Sequence, residues 1–271
     1  MTEGGRRIRG KERMSKQETK SPIKNLPMRQ PGQSTREKID KIFDDEVMPY
    51  ILAVLGTFIM AFYEWVHVVF KQPPQPILMT VLFVLAVLLM IRKFFKSRNR
   101  FRQMRLGELG EQAVGQYLEE KLRPMGCQVL HDILAADFNV DHFVVGPTGL
   151  FCIETKTHSK PERGDSRVVY DGEKVTVNGF TPDRDPVVQA RAEAKWMSDL
   201  IEQSTGKRFF VQPVVLYPGW YVDNNCQRPE VWVLNETVIP TFIKNARNAV
   251  SPEDVALVTY HLKRYVISRD K

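Results

Sequence analysis

Residues 139–156 read Asn-Val-Asp-His-Phe-Val-Val-Gly-Pro-Thr-Gly-Leu-Phe-Cys-Ile-Glu-Thr-Lys. Two β-rich runs, Phe138 to Val145 and Leu150 to Lys156, flank Gly146-Pro147-Thr148-Gly149, the pattern of a hairpin with a turn at its centre. With a loop from Gly146 to Gly149 and Val145 opposite Leu150, antiparallel pairing sets Asp141 opposite Glu154, on one face with Cβ atoms about 4.5–5.5 Å apart. Alternation along the second strand brings Lys156 to the same face. Two carboxylates so placed repel each other, and a cation between them removes the conflict. Oxygen ligands suit a hard divalent ion, Mg²⁺ or Mn²⁺, whereas zinc favours His or Cys. The register requires that no β-bulge intervene; Asp141 and Glu154 on opposite faces would refute it.

Working outward from this hairpin, Leu106, Leu109, Ala113, Val114, Tyr117, Leu118 and Leu122 recur at helical spacing and stop before Pro124-Met125-Gly126, which predicts an amphipathic helix. A short strand follows at Gln128 to His131. On the far side, Asp171-Gly172 predicts a small hairpin. Asp185-Pro186 predicts a helix running to about Ser204, with a carboxylate N-cap and proline at the first helical position. Phe209 to Tyr217 and Glu230 to Leu234 read as strands, and the segments after Asn235 and Ser251 as helices. The expected order is α-β-β-β-α-β-β-α-α, an α/β domain without internal repeats.

The successive motifs Gly107-Glu108-Leu109-Gly110-Glu111, Asn139-Val140-Asp141-His142, Gly149-Leu150-Phe151-Cys152-Ile153-Glu154-Thr155-Lys156, and Asp185-Pro186 leading to Gln189 resemble those of the NERD (nuclease-related) domain, a branch of the PD-(D/E)XK nuclease superfamily. The likeness covers Leu106 to Tyr217, and its most specific part is the Asp-His strand followed by the Glu-Thr-Lys strand. The resemblance implies a restriction-endonuclease-like core, a central mixed sheet flanked by helices, that hydrolyses DNA phosphodiester bonds with Mg²⁺, or Mn²⁺, as cofactor. It implies Asp141 and Glu154 as metal ligands, with the Thr155 carbonyl as an additional ligand. Lys156 would position or help deprotonate the attacking water, Glu111 would complete the metal site, often through a metal-bound water, and Gln189 would assist at its edge. Each also has a bland reading: Glu111 can oppose a helix dipole, Lys156 can pair structurally with Glu154, and Gln189 can be solvated. His142 falls on the opposite face, as a core histidine, and Cys152 packs beneath the carboxylates.

Two apolar runs precede this domain. Met48 to Phe70, interrupted only by Glu64 and His67 near its end, and Ile77 to Phe95, free of charge before Arg92, each match the roughly 20 residues that cross a bilayer as a helix. Lys71-Gln72-Pro73-Pro74-Gln75-Pro76 connects them, so together they predict a transmembrane hairpin. Basic residues flank both ends, with Arg92, Lys93, Lys96, Arg98, Arg100, Arg102 and Arg105 after the second span, which predicts both termini in the cytoplasm. The expected location is a cell membrane of the bacterial inner type, with two spans.

Of the 271 residues, 39 are Lys or Arg and 32 are Asp or Glu, a net charge of +7, but residues 1–41 alone hold twelve basic against five acidic residues. The excess therefore resides in the tail, and a general argument from basicity to nucleic acid does not follow. The expected organisation is a disordered basic tail at 1–44, the hairpin at 45–98, the nuclease-like domain at 102–220, and a strand and helices at 221–271 completing the core. Three cysteines at unrelated spacings read as reduced thiols. Expected partners are DNA, with RNA open, and the membrane through 48–70 and 77–95. The rival readings are a non-cutting, membrane-anchored module of the same fold that holds DNA or a protein, and a membrane scaffold whose hairpin oligomerises.

Overall fold

The computed structural model describes residues 28–70, 76–160, 166–227 and 229–269. The basic segment at 1–27 and the proline-rich connection at 71–75 lie outside the described residues. Helix α1 spans Gln33–Glu46, α2 spans Met48–Val69 with a proline in its first turn, and α3 runs from Pro76–Leu122, 47 residues in one helix. At 1.5 Å per residue that is about 70 Å.

Two readings are corrected here. Gln33–Glu46, expected as part of a disordered tail, is helical and docked on the domain. Its anchor is Arg29, whose buried side chain reaches Asp132 at 2.8 Å. The second apolar run and the amphipathic helix are also not separate elements. The charged residues between them, Lys96 to Arg105, break the apolar periodicity but not the helix, because Lys and Arg have high helix propensity and no glycine or proline intervenes.

Among the described residues, α2 and α3 are long and apolar enough to cross a membrane. Their apolar stretches are not packed into the core of the domain: Leu52 is 60% exposed, Phe62 63%, Ile77 79% and Leu88 57%. They touch each other through pairs such as Phe58 and Phe83, whose rings lie 5.7 Å apart.

The domain that follows is a mixed sheet between helices. Strands β1 (Gln128–Leu134), β2 (Asn139–Gly146) and β3 (Gly149–Thr155) form an antiparallel meander. A small hairpin, β4 (Arg167–Tyr170) and β5 (Val175–Val177), turns at Asp171-Gly172 as expected. Helix α4 (Pro186–Thr205) then leads back to β6 (Val211–Leu216), parallel to β3. A short strand, β7 (Tyr221–Asn224), not anticipated from sequence, joins the small sheet. β8 (Trp232–Leu234) pairs in parallel with β6, and α5 (Ile239–Lys244) and α6 (Pro252–Arg269) close the chain. The main sheet has the order β1-β2-β3-β6-β8.

The helices cover both faces of this sheet, so β3 is buried along its whole length and reads as an almost unbroken apolar run. One face packs Phe143, Val145 and Cys152 against Met197 and Ile201 of α4 and Leu262 of α6. The other packs Val144, Phe151 and Ile153 against Val114, Leu118 and Leu122 of α3. The turn between β2 and β3 is tighter than the four-residue loop expected: Gly146 pairs with Gly149, leaving Pro147-Thr148 as the loop. Gly149 adopts φ 145°, open to glycine and not to side-chain-bearing residues.

Candidate functional site

The register of β2 and β3 runs Val145↔Leu150, Phe143↔Cys152 and His142↔Ile153, so Asp141 and Glu154 are the next residues abreast. The Thr155 amide donates to Asp141 Oδ2 at 2.9 Å, which holds that carboxylate beside its neighbour. Both are buried. The ladder between β3 and β6 extends one residue past Thr155, with the Lys156 amide donating to the Leu216 carbonyl at 2.8 Å, so the Lys156 backbone is fixed as well. Its Nζ donates to Glu154 Oε1 at 2.6 Å and to Gln189 Oε1 at 2.8 Å.

Gln189 reaches this point because α4 is capped where the sequence says. Asp185 accepts from the Val187 amide at 2.9 Å and the Val188 amide at 3.3 Å, and Pro186 opens the helix. The Gln189 side-chain amide then donates to Glu154 Oε1 and to Glu193 Oε1, each at 2.8 Å. From α3, the buried Glu111 lies close enough that its charge acts on Asp141 and the charge of Glu154 acts on it. The segment just after β3 approaches α3 so closely that a Cβ on Gly110 would lie 1.8 Å from Thr157 Oγ1, so glycine lets α3 sit there.

All the residues singled out from sequence, Glu111, Asp141, Glu154, Thr155, Lys156 and Gln189, thus come together at one end of the sheet. Glu193 was missed, although it lies one turn beyond Gln189 and interrupts the buried stripe Ala190, Ala194, Met197; a carboxylate in such a stripe is the available signal. Asp132, Asn139, Arg29 and Thr35 were also missed. Asp132 lies abreast of Asp141 in the β1–β2 register, is fully buried, and adopts φ 50°. Nothing in the sequence near it signals these contacts. His142 is buried on the α3 face as expected, its Nδ1 2.9 Å from that of His131, whose Nε2 meets Glu119 at 3.0 Å. The three cysteines are free.

Electrostatically the cluster is in conflict with itself. Burial, then the charges of Glu154 and Glu111, push the Asp141 carboxyl well above the usual carboxylate range, against the opposing hydrogen bond from Thr155. Burial raises Glu111 to about 7, with Thr35 pulling it down and Glu154 pushing it up. Burial and Glu154 raise Glu193 to about 9. Burial disfavours the Lys156 cation, yet its pairing with Glu154 raises its pKa on balance. Glu111 Oε2, Glu154 Oε2 and Glu193 Oε2 are buried without a hydrogen-bond partner among the described residues.

Among the described residues no three His, Cys, Asp or Glu side chains form a ready-made ligand cage. Mg²⁺ does not need one: it is typically bound by one or two carboxylates and keeps several waters. The oxygen-only donors, the mutual repulsion and the orphaned carboxylate oxygens fit such an ion.

A stability measurement follows. A carboxyl whose folded pKa is raised contributes stability that is present below its unfolded pKa and is lost as pH rises toward the folded value, by about 1.4 kcal/mol per pH unit for one proton. Between pH 7 and 8.5 the buried histidines, whose values burial lowers, are neutral in both states and add no slope. Thermal unfolding in EDTA should therefore fall across that window, and Glu193→Gln should flatten the fall and raise the transition at pH 8. A transition independent of pH in wild type would refute the buried, protonated Glu193.

Residues 106–218 match the family model of the nuclease-related domain, NERD, which supports the resemblance for that part of the chain. The match begins within α3 and ends just past β6, so it takes in β1 to β6 and α4 and leaves out α1, α2 and the C-terminal elements. No curated protein and no solved structure matches the chain.

Proposed function

We propose, taking the nuclease-related domain as premise, that this chain is a membrane-anchored, metal-dependent nuclease hydrolysing DNA phosphodiester bonds. The observation that carries the reading is the convergence of Asp141, Glu154, Lys156, Gln189 and Glu111 at one sheet end, within the matched residues. Asp141, Glu154 and the Thr155 carbonyl would hold Mg²⁺ or Mn²⁺, and Glu111 would complete the metal site through a metal-bound water. When bound, the ion would polarise the phosphoryl oxygen and offset charge on the phosphate.

The protein side divides the remaining work. Lys156 keeps its proton at neutral pH because its carboxylate partner outweighs its burial, so its Nζ acts as a donor. It orients the attacking water and stabilises charge developing on the phosphate, and it is a poor base. Burial raises Glu111 to about 7 in the metal-free site, and its unpartnered Oε2 is the better acceptor for the proton that water releases. Gln189 holds Lys156 and Glu154 in register through both ends of its amide.

The two apolar helices anchor the enzyme, with both termini and the domain on the cytoplasmic side of a membrane of the bacterial inner type. Along α3 the site lies about 24 Å beyond Phe95, the last residue of the second apolar run, at 1.5 Å per residue. Substrates are then those that reach the inner membrane face.

Protein that survives a carbonate wash of membranes and is then extracted in detergent should cut plasmid or single-stranded DNA with Mg²⁺ or Mn²⁺ and stop with EDTA. Release by the wash would overturn the anchoring. Folded protein that cuts no DNA with either ion would overturn the DNA nuclease; retention of that DNA on a gel would then favour the binding module, and cutting of RNA instead would reassign the substrate.

A further inference from the structure

We propose that residues 28–38, which precede the membrane hairpin and lie outside the family match, are part of the site, and that Thr35 is the positioning residue for Glu111. This inference rests on the metal-site reading above.

The segment is bolted down where the site is. Arg29 Nε donates to Asp132 Oδ2 at 2.8 Å, both groups being almost wholly buried. The Ser34 amide donates to that same oxygen at 2.9 Å. Gly32, the N-cap residue of α1, offers no side chain to the first turn, so Asp132 caps the helix from a distant strand, where a carboxylate meets the positive end of the helix dipole. The fit against α3 is close: a Cβ on Gly115 would lie 2.4 Å from Pro31 Cγ, and a Cβ on Gly32, at φ 73°, would lie 3.1 Å from the Glu108 carbonyl oxygen.

From this base the segment reaches two of the carboxylates. Thr35 Oγ1 donates to Glu111 Oε1 at 3.2 Å. Among the described residues it is the one side chain hydrogen-bonded to Glu111, whose Oε2 is left buried and unpartnered. The second route is indirect: Asn139 Nδ2 lies 3.1 Å from Asp132 Oδ1 and 3.4 Å from Asp141 Oδ1. Thr35 thus sets which oxygen of Glu111 is free to serve the site. The topology makes the consequence unusual. The chain contributes Thr35, leaves through both apolar helices, and returns along α3 to contribute Glu111, so the hairpin closes a loop whose two ends are one site.

The test uses the full chain in detergent, with Mn²⁺ as the probe. Free Mn²⁺ is titrated by electron paramagnetic resonance, DNA cutting is followed in parallel, and thermal unfolding is recorded for Thr35→Val and Thr35→Ser. Groups that orient metal ligands typically change affinity or activity about 10–100-fold. Thr35→Val should lose that much in Mn²⁺ affinity while unfolding near the wild-type temperature, and Thr35→Ser, which keeps the hydroxyl, should recover most of it. Wild-type affinity in Thr35→Val, or a serine variant as weak as valine, would overturn the role of Thr35. Mn²⁺ binding by a wild type that cuts no DNA would sink the nuclease while leaving the Thr35 effect readable in affinity. A folded wild type that binds no Mn²⁺ would sink both.

Discussion

Glu154→Gln should lose at least about 100-fold in metal-dependent cutting, and Lys156→Ala about 10²–10³-fold, the loss typical when one preorganised donor is removed from a site of developing charge. The two variants should part company in stability. After burial, which is the largest cause in each case, Glu154 is the charge that further raises Asp141, Glu111 and Glu193 alike, so neutralising it removes repulsion from three neighbours at once. A glutamine there still accepts from Lys156. In EDTA at pH 8, Glu154→Gln should therefore unfold at or above the wild-type temperature while being the poorer enzyme, as expected where a site stores unfavourable charge for function. Lys156→Ala removes the cation that partly neutralises the cluster and should unfold earlier. Lys156→Arg should not restore cutting, because a planar guanidinium cannot reproduce a point charge bonded at 2.6 and 2.8 Å to Glu154 and Gln189. A Glu154→Gln enzyme that cuts at the wild-type rate would remove this carboxylate from the mechanism.

How much of this was legible depends on whether the information was local. The β2–β3 pairing could be read because a short turn centred between Pro147 and Thr148 fixes the same register whether its loop has the four residues expected or the two observed, and period-two alternation fixes the face; together they brought Asp141 beside Glu154 without any long-range knowledge. The start of α4 could be read because an Asp-Pro pair has a mechanism, and that start aims Gln189. Glu193 was overlooked for lack of a rule about buried acids one turn beyond a site residue, not for lack of signal. The continuity of α3 through Lys96 to Arg105 was hidden because every second or third residue there is basic and only Phe101 and Met104 are apolar, too few to show a helical period. The docking of α1 was hidden more deeply. Its bond from Arg29 to Asp132 spans 103 positions, and both partners are residue types that ordinarily sit in water. A basic segment looks the same in sequence whether its arginines are solvated or one of them is buried against a carboxylate.

That burial sets the largest stability effect. Asp132 is fully buried, and its carboxylate is matched by Arg29, the Ser34 amide and Asn139. Removing one partner of a buried pair leaves an uncompensated charge and typically costs about 3–5 kcal/mol, whereas removing both charges together can be nearly neutral. Arg29→Met should therefore destabilise the domain by about that amount, and Arg29→Met with Asp132→Asn should recover much of the loss, since the asparagine carbonyl can still accept from Ser34. A fragment of residues 100–271 is a harsher form of the same experiment. It takes away Arg29, the capped helix and Thr35 in one step, leaving Asp132 facing a surface it was never folded against. Measured by denaturant unfolding, the fragment should be far less stable than the domain within the full chain, and its weak cutting would reflect missing parts of the site as well as lost stability. The full chain carrying Thr35→Val separates these causes, because it keeps the Arg29 to Asp132 bond and loses only the hydroxyl on Glu111. A fragment as stable as the intact domain would mean that α1 rests on the site without supporting it, and the N-terminal segment would then have no structural claim on the enzyme.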